Sequence, residues 1–385
     1  MSNLPEKYEN LLGSIREVFG EGFIPLHAPV FNGNEKQYLA ECIDTTFVSS
    51  VGAFVDRFEQ MMAEIAGTKY AIATMNGTAA LHLALILADV GENDEVITQP
   101  LTFVATCNAI SYQKAHSVFV DVDKETLGLS PKALKDFLEK NAFIKDNQCI
   151  NKSTGRIIKA VVPMHTFGIS AAIDEIKAIC TDWNLVLIED AAEALGSRYK
   201  EKALGSYGDL AAFSFNGNKI VTSGGGGCVV TNDEKIAKRA KHLSTTAKLP
   251  HAWQFFHDEV GYNYRLPNVN AALACAQLEQ LPIFLEKKKQ LASFYADICE
   301  KNDIPFISNT EGGESNFWLN AILVEDFSVR ETLLAEANKR GIMMRPVWEL
   351  MSDLPAFSEC QNDGCETAKW LQERLVNIPS SVISL

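Results

Sequence analysis

The chain has no run of about 20 apolar residues, so nothing in it reads as a membrane-spanning helix. It has no basic stretch interleaved with aromatics. Lys and Arg number 35 against 49 Asp and Glu, the formal net charge is −14, and nucleic acid is not an expected partner. It also lacks a cysteine pattern. Nine cysteines lie scattered from Cys42 to Cys365 without the tight paired spacing of a zinc set, which reads as free thiols in a reducing cytoplasm. Cys360 and Cys365 flank only a "QNDG" loop, and no metal is expected. The opening "MSNLPEKYENLLGSIREVFG" carries acids and no long apolar segment, unlike a signal peptide. Repeats and low-complexity tracts are absent. What is present, 385 residues of which 47% are hydrophobic, suits a soluble globular protein of about two domains.

Hydrophobic spacing then organises the chain. Leu4, Tyr8, Leu11, Leu12, Ile15 and Phe19 recur at helical intervals and predict an amphipathic helix closed by Gly20 and Gly22. "FVDRFEQMMAEIAGT" puts Phe54, Phe58, Met61, Met62 and Ile65 on one helical face, with Gly67 as its stop. The methionine pair reads as core filler. Short apolar runs follow in alternation with helices. "YAIAT", "EVIT", "HSVFVDVD", "IIKAVVPM" and "NLVLIED" read as strands, and "TAALHLALILADV", "FVATCNAISYQK" and "AAIDEIKAICTDW" as helices. Runs such as "VLI" and "AVV" do not alternate with polar residues, as in strands buried on both faces of a parallel α/β sheet. After "GGGGCVVTND" the pattern changes. A long helix is predicted over roughly 268–300, and "FWLNAILVED", "VRETLLAEANKRG" and "MMRPVW" suggest a smaller α+β part. The expected organisation is an N-terminal helical extension over 1–22, a large α/β domain over 23–250 and a small C-terminal domain over 251–385.

Four stretches carry candidate chemistry, and each has a plainer alternative. In "MNGTAALHLAL", Asn76, Gly77 and Thr78 sit where a strand turns into a helix. Free amides and the helix dipole attract phosphate at such a place, with Thr78 as N-cap and hydroxyl donor. A capped turn without a ligand would look the same. "NLVLIEDAAEALGS" ends a buried strand in Glu189 and Asp190, where open α/β sheets bind ligands. A desolvated carboxylate there needs a partner such as a protonated ring nitrogen, unless it only meets a helix dipole. "FSFNGNKIVTSGGGG" sets Lys219 on a turn with Ser214 and Asn216, five residues before four glycines. This is neither a G-x-x-x-x-G-K-[ST] loop nor a G-x-G-x-x-G unit. A lysine beside phosphate in partial burial loses its proton and attacks a carbonyl; the alternative is a surface lysine before a hairpin. The glycines would let a planar ligand or a partner chain approach. "GYNYRLPNVNAALACAQL" places Asn263 and Arg265 before a helix capped near Asn268, as an anion contact or as a polar loop. A phosphate turn, an acid for a ring nitrogen and a lysine on successive turns of one parallel sheet are what pyridoxal phosphate requires.

With "NGTAALHLAL", "EDAAEALGS", "FSFNGNK…GGGG" and "GYNYRLPN" in this order, the chain resembles the DegT-type sugar-nucleotide aminotransferases from about Pro25 to Pro379. The resemblance implies a fold-type I pyridoxal-phosphate transferase. Its architecture is a central, mostly parallel seven-stranded sheet with helices on both faces, plus a smaller α+β C-terminal domain. A homodimer with shared active sites is implied too. "FSFNGNKI" and "FVSSVGAFVDRFE" are most similar to the branch that aminates carbon 4 of UDP-linked 4-keto-6-deoxy-N-acetylhexosamines, with L-glutamate as donor in a ping-pong cycle.

The resemblance also implies residue roles. Lys219 would form the Schiff base and shuttle the proton, Asp190 would pair with the ring nitrogen, and His165 of "PMHTFG" would line the site. Gly77, Thr78 and Ser214 would hold the phosphate, with Asn216 beside the lysine. Phe103 of "LTFVAT" would stack on the ring, and Glu193 would lie close to the cofactor. Asn263 would reach the phosphate of the neighbouring subunit. Ser50, Val51 and Gly52, with Glu193, Arg345 and Trp348, would meet the sugar nucleotide. Two departures stand out. Glu193 replaces the Gln or His of many relatives, and the chain ends soon after "NIPSSV", so an abbreviated small domain is expected. Lys219 separates the chain from a subgroup that carries histidine there and dehydrates its substrate. The alternatives are another acceptor, dTDP-linked or aminated at carbon 3, and a non-catalytic regulator, against which the lysine and the acid count.

Overall fold

Non-alternating apolar runs need cover on both faces, and a parallel sheet clad in helices supplies it. The computed structural model describes residues 4–383; residues 1–3 and 384–385 of the two terminal segments lie outside it. The strands of the first part are β1 Tyr70–Thr74, β2 Glu95–Thr98, β3 His116–Phe119, β4 Ala142–Lys145, β5 Gln148–Asn151, β6 Ile157–Val162, β7 Val186–Asp190, β8 Arg198–Tyr199, β9 Lys202–Ala203, β10 Leu210–Ser214 and β11 Gly227–Thr231. Seven of them form the main sheet in the order β1-β11-β10-β7-β6-β2-β3. Only β11 runs against its neighbours; β10, β7, β6, β2 and β3 pair in parallel. The seven-stranded, mostly parallel expectation therefore holds. An unforeseen hairpin, β4–β5, adds to it through β5 against β6. Its exposed Phe143 and Ile144 lack the burial that made the other strands legible.

The helices are α1 Glu6–Phe19, α2 Glu35–Asp44, α3 Ala53–Ala66, α4 Gly77–Leu87, α5 Val104–Tyr112, α6 Pro131–Asn141, α7 Ile173–Asp182, α8 Glu234–Ser244, α9 Asn268–Lys301, α10 Phe327–Lys339 and α11 Glu366–Gln372. One face of the sheet packs α4, α5 and α8 against Ile72, Val96, Ala160, Ile188 and Val229. The other face packs α3, α6, α7 and the start of α9 against Ile97, Val161, Leu187 and Phe213. Phe54, Phe58 and Met62 of α3 are buried as predicted, and Met61 and Ile65 sit at the half-buried margin. Gly67 stops α3 in the left-handed region at φ 65°. The short β12 Gly313–Glu314 joins β8 and β9 in a small sheet.

The remaining strands, β13 Asn320–Leu323, β14 Arg345–Pro346 and β15 Leu375–Ile378, form an antiparallel sheet in the order β13-β15-β14. The N-terminal helix belongs with this sheet. Tyr8, Leu11, Leu12 and Ile15 of α1 bury against Leu291, Tyr295 and Cys299 of α9 and against Ile322, Leu333 and Ile378. Glu9 and Arg340 form a two-pronged ion pair at 2.5 and 2.8 Å, and the Tyr8 hydroxyl donates to Glu325 at 2.6 Å. Leu11 has no exposed surface. L11A should lower unfolding stability by about 2–5 kcal/mol without altering cofactor uptake, read as a lower urea midpoint beside an unchanged cofactor absorbance in native buffer.

Candidate active site

The strands β1, β10, β7, β6 and β2 end on one edge of the sheet, where open α/β sheets bind ligands. A cavity of about 300 Å³ opens there. It gathers Gly77, Thr78, Phe103, Asp190, Glu193, Ser214, Asn216, Lys219 and Trp348, all expected at the site, around one space. A larger groove of about 560 Å³, between α6 and the loop before α11, holds none of the four motifs.

After β1, Asn76 caps α4, its side-chain oxygen accepting the Ala79 N–H at 2.8 Å. Asn76 rather than Thr78 is thus the N-cap, because the helix already begins at Gly77. First-turn amides at Gly77 and Thr78 have no intrahelical acceptor, and the helix dipole backs them. Glycine is required at 77: a Cβ there would stand 2.7 Å from the Ser214 Cβ. Its absence lets α4 close on β10, so Thr78 and Ser214 share one wall of the cavity.

The two acids ending β7 face opposite ways, as strand alternation demands. Glu189 accepts N–H groups from Gly205, Tyr207 and Gly208 at 2.6–2.8 Å and meets His165 Nε2 at 3.0 Å. It anchors the chain that leads into β10. Asp190 lines the cavity. Its carboxylate accepts the Thr106 hydroxyl at 2.7 Å and the Ala192 N–H at 3.2 Å. Burial pushes the Asp190 carboxyl above its ordinary range, and the Thr106 and Ala192 donors, Lys219 and His165 pull against it. Among the described residues no Lys or Arg forms an ion pair with it. Glu193 is also buried. It accepts the Phe167 N–H at 2.9 Å and meets Lys219 Nζ at 3.1 Å. Burial pushes it up to about 6, against the nearby Lys219 and the Phe167 N–H.

Lys219 sits on the turn between β10 and β11, and its side chain folds back into the cavity. The four glycines serve the chain itself. Gly224 turns at φ 75°, and a Cβ on Gly227 would lie 2.3 Å from the Asn76 carbonyl oxygen. The close approach expected of a ligand or partner chain is made at Gly227 by the entry to α4. Phe103 and Trp348 form the opposing aromatic wall, with ring centres 6.3 Å apart.

Several expected residues lie elsewhere. His165 does not line the cavity. Its ring is fully buried, with Nδ1 accepting the Ala171 N–H at 3.3 Å and Nε2 on Glu189, so it braces that carboxylate. Ser50, Val51 and Gly52 are outside it as well. A Cβ on Gly52 would collide with the Asn268 side chain, which also bonds the Phe54 N–H and the Phe47 carbonyl. Asn268 therefore ties down this loop, and it does not cap its own helix. Arg345 is exposed at the end of the small sheet. Asn263 is exposed and accepts from Arg265 Nε at 2.9 Å. Sequence reading missed Thr106, Met164, Asn218 and Trp318. Thr106 follows Phe103 by one helical turn, a signal that was available; Trp318 lies about 100 residues from its contact Asn218 and left none.

The residues fit pyridoxal phosphate. Two free amides with two hydroxyls suit its phosphate, the aromatic wall suits its ring, and Asp190 lacks the cationic partner that a pyridinium N–H provides. Lys219 stands within the same cavity. The comparisons agree. The DegT/DnrJ/EryC1/StrS aminotransferase family matches residues 30–383. The chain is 37% identical over 361 residues to GDP-perosamine synthase of Escherichia coli O157:H7, covering 93% of each. It is 35% identical over 363 residues to the GDP-perosamine synthase of Caulobacter vibrioides, again covering 93% of each. Among solved structures, an aminotransferase from Psychrobacter cryohalolentis superposes with a TM-score of 0.82 at 26% identity, covering 93% of this chain and 94% of that one.

The raised Glu193 gives a pH signature. Its protonated form contributes stability below its ordinary value of 4.5, and that contribution is lost as pH rises through about 6. E193Q keeps an acceptor for the Phe167 N–H but cannot ionise. It should raise apoprotein stability at pH 7.5 by about 2 kcal/mol, with the gain gone near pH 4.5. Urea unfolding at both pH values checks this; an equal gain at both would remove ionisation as the cause.

Proposed function

The chain belongs to the DegT/DnrJ/EryC1/StrS family of pyridoxal-phosphate-dependent sugar aminotransferases, and from that premise we propose that it moves an amino group from L-glutamate to the 4-keto carbon of a UDP-linked 4-keto-6-deoxy-N-acetylhexosamine. The meeting of Lys219, Asp190 and the Gly77–Thr78–Ser214 cradle in one cavity carries the aminotransferase reading. The acceptor rests on the likeness of "FSFNGNKI" and "FVSSVGAFVDRFE" to the branch that uses it.

When bound, the cofactor supplies a carbonyl carbon that exchanges amines and a ring that takes up electrons from a broken C–H bond. The chain supplies the rest. The amides of Gly77 and Thr78 with the Ser214 hydroxyl hold the phosphate. Asp190, oriented by Thr106 and the Ala192 N–H, keeps a proton on the ring nitrogen. Lys219 Nζ carries the proton between the substrate carbon and the cofactor as general base and then general acid. Glu193, 3.1 Å from Nζ, receives the lysine when it is not bonded to the cofactor. Phe103 and Trp348 cover the ring and exclude water.

The working enzyme in this reading is a homodimer in the cytoplasm. Trp253, Phe255, Phe256 and Val260, within eight residues of one another, are each more than half exposed, an apolar excursion that suits a second copy. Asn263 and Arg265 stand exposed on the same excursion, free to serve a neighbouring cavity. The nine free cysteines, eight of them buried, fit a reducing compartment. No helix among the described residues is long and apolar enough to cross a membrane.

A second reading, a GDP-linked keto sugar as acceptor, is favoured by the 37% identity to a GDP-perosamine synthase. Visible spectroscopy separates the two. The cofactor band of the loaded enzyme should bleach with L-glutamate and return with the UDP-linked keto sugar. Return only with a GDP-linked 4-keto sugar would transfer the assignment, and no bleaching would reject glutamate as donor. K219A should fold and show no turnover, and appreciable steady-state activity in it would sink the role of Lys219.

A further inference from the structure

The turn that carries Trp318 is strained and tied down from every side. Phe317 holds φ 46°, a left-handed conformation that a bulky residue adopts only where the surroundings over-determine it. Asn316 supplies part of that constraint. Its side chain donates to the Glu193 and Leu195 carbonyls at 2.8 and 2.9 Å and accepts the Trp318 N–H at 2.8 Å. Its own N–H donates to Ser197 Oγ at 2.9 Å. Below, the fully buried Lys288 donates to the carbonyls of Phe317, Trp318 and Ser380 at 3.2, 3.0 and 2.5 Å. Burial pushes the Lys288 ammonium down to about 7. So much constraint on three successive residues has one visible product. The Trp318 indole lies with its ring centre 4.1 Å from Lys219 Nζ, and its N–H donates to the Asn218 carbonyl at 2.7 Å.

We propose that Trp318 is a positioning residue for Lys219: its ring face and Glu193 together form the resting place of Nζ while it is not bonded to the cofactor and carries its proton. A free ammonium whose side chain is mostly buried has lost much of its water, and a carboxylate on one side with a π-face on the other replaces it. In each turnover of a transaminase the lysine is released and must return to the same atom. An unheld four-carbon side chain would lose that geometry. The other titratable groups facing it are Asp190 and the buried His27, whose ring is kept neutral by burial and by the nearby Lys288 and Lys219. The inference rests on the reading of Lys219 as the reacting lysine.

The test uses apoprotein carrying, at position 318 alone, tryptophan with zero to three ring fluorines, which weakens the π-face and leaves shape and N–H in place. Acetylation of Lys219 by acetic anhydride at pH 7.5 is followed by mass spectrometry. The rate should rise stepwise with fluorination, by about tenfold across the series, because a less firmly held Nζ is more often free to attack. W318L should match the fully fluorinated end and W318F should fall near the unsubstituted protein. A flat fluorination series overturns the proposal, as does an equal effect of W318F and W318L, which would reduce Trp318 to a tether through its N–H. Borohydride trapping with pyridoxal phosphate, scored at Lys219, is independent of these outcomes. Its failure would sink the lysine assignment itself, while trapping with a flat series would sink only the role of Trp318.

Discussion

Asp190 is a fully buried carboxylate to which the described chain offers hydrogen-bond donors but no ion-pairing cation. Much of the site follows from that deficit. A lone buried carboxylate is costly, and burial accordingly drives its carboxyl toward the neutral form. In the proposed reading a bound pyridinium would reverse this, cofactor and carboxylate neutralising one another. The end of a central strand supplies a side chain that is both dry and open to the cavity. Thr106, one helical turn beyond the aromatic wall, sets the direction of the carboxylate.

The neighbouring acid shows how little separates a structural carboxylate from a functional one. Glu189 is one residue away and equally buried, yet it is satisfied by three backbone amides and His165. Strand alternation sends one acid to the packed face and the other to the cavity. The strand itself flagged both acids, the family resemblance chose Asp190 for the ring nitrogen, and the period-two rule agrees by sending Glu189 to the opposite face. His165, which the family resemblance placed at the site, turns its ring to the packed side and bonds Glu189.

Local motifs were legible because their geometry is local. The turn after β1, the acids of β7 and the lysine turn after β10 are each written within a dozen residues, and a parallel sheet then delivers them to one edge. Long-range packing was not legible. Gly227 looked like room for a ligand and proved to be room for the Asn76 carbonyl, two segments 150 residues apart. Gly52, which only the family resemblance singled out, packs directly against the Asn268 side chain. At Gly227 the sequence recorded that something comes close, but the identity of the visitor is a tertiary fact. The hairpin β4–β5 escaped for a different reason, since it is partly exposed and carries no buried apolar run.

The Trp318 turn shows why part of such a site must remain hidden from a linear reading. Its function depends on a conformation the residues themselves resist, imposed by Asn316 from one side and by Lys288 from a helix below. Nothing in "FWLNAILVED" announces strain, because that stretch favours a strand and begins one two residues later, at Asn320. A catalytic lysine must alternate between bonded and free states without wandering. The fold achieves this by anchoring the receiving surface to the same long helix that packs α1 and the small sheet. Stability of that C-terminal packing and precision at Lys219 are therefore coupled through one buried ammonium, although the two lie far apart in sequence.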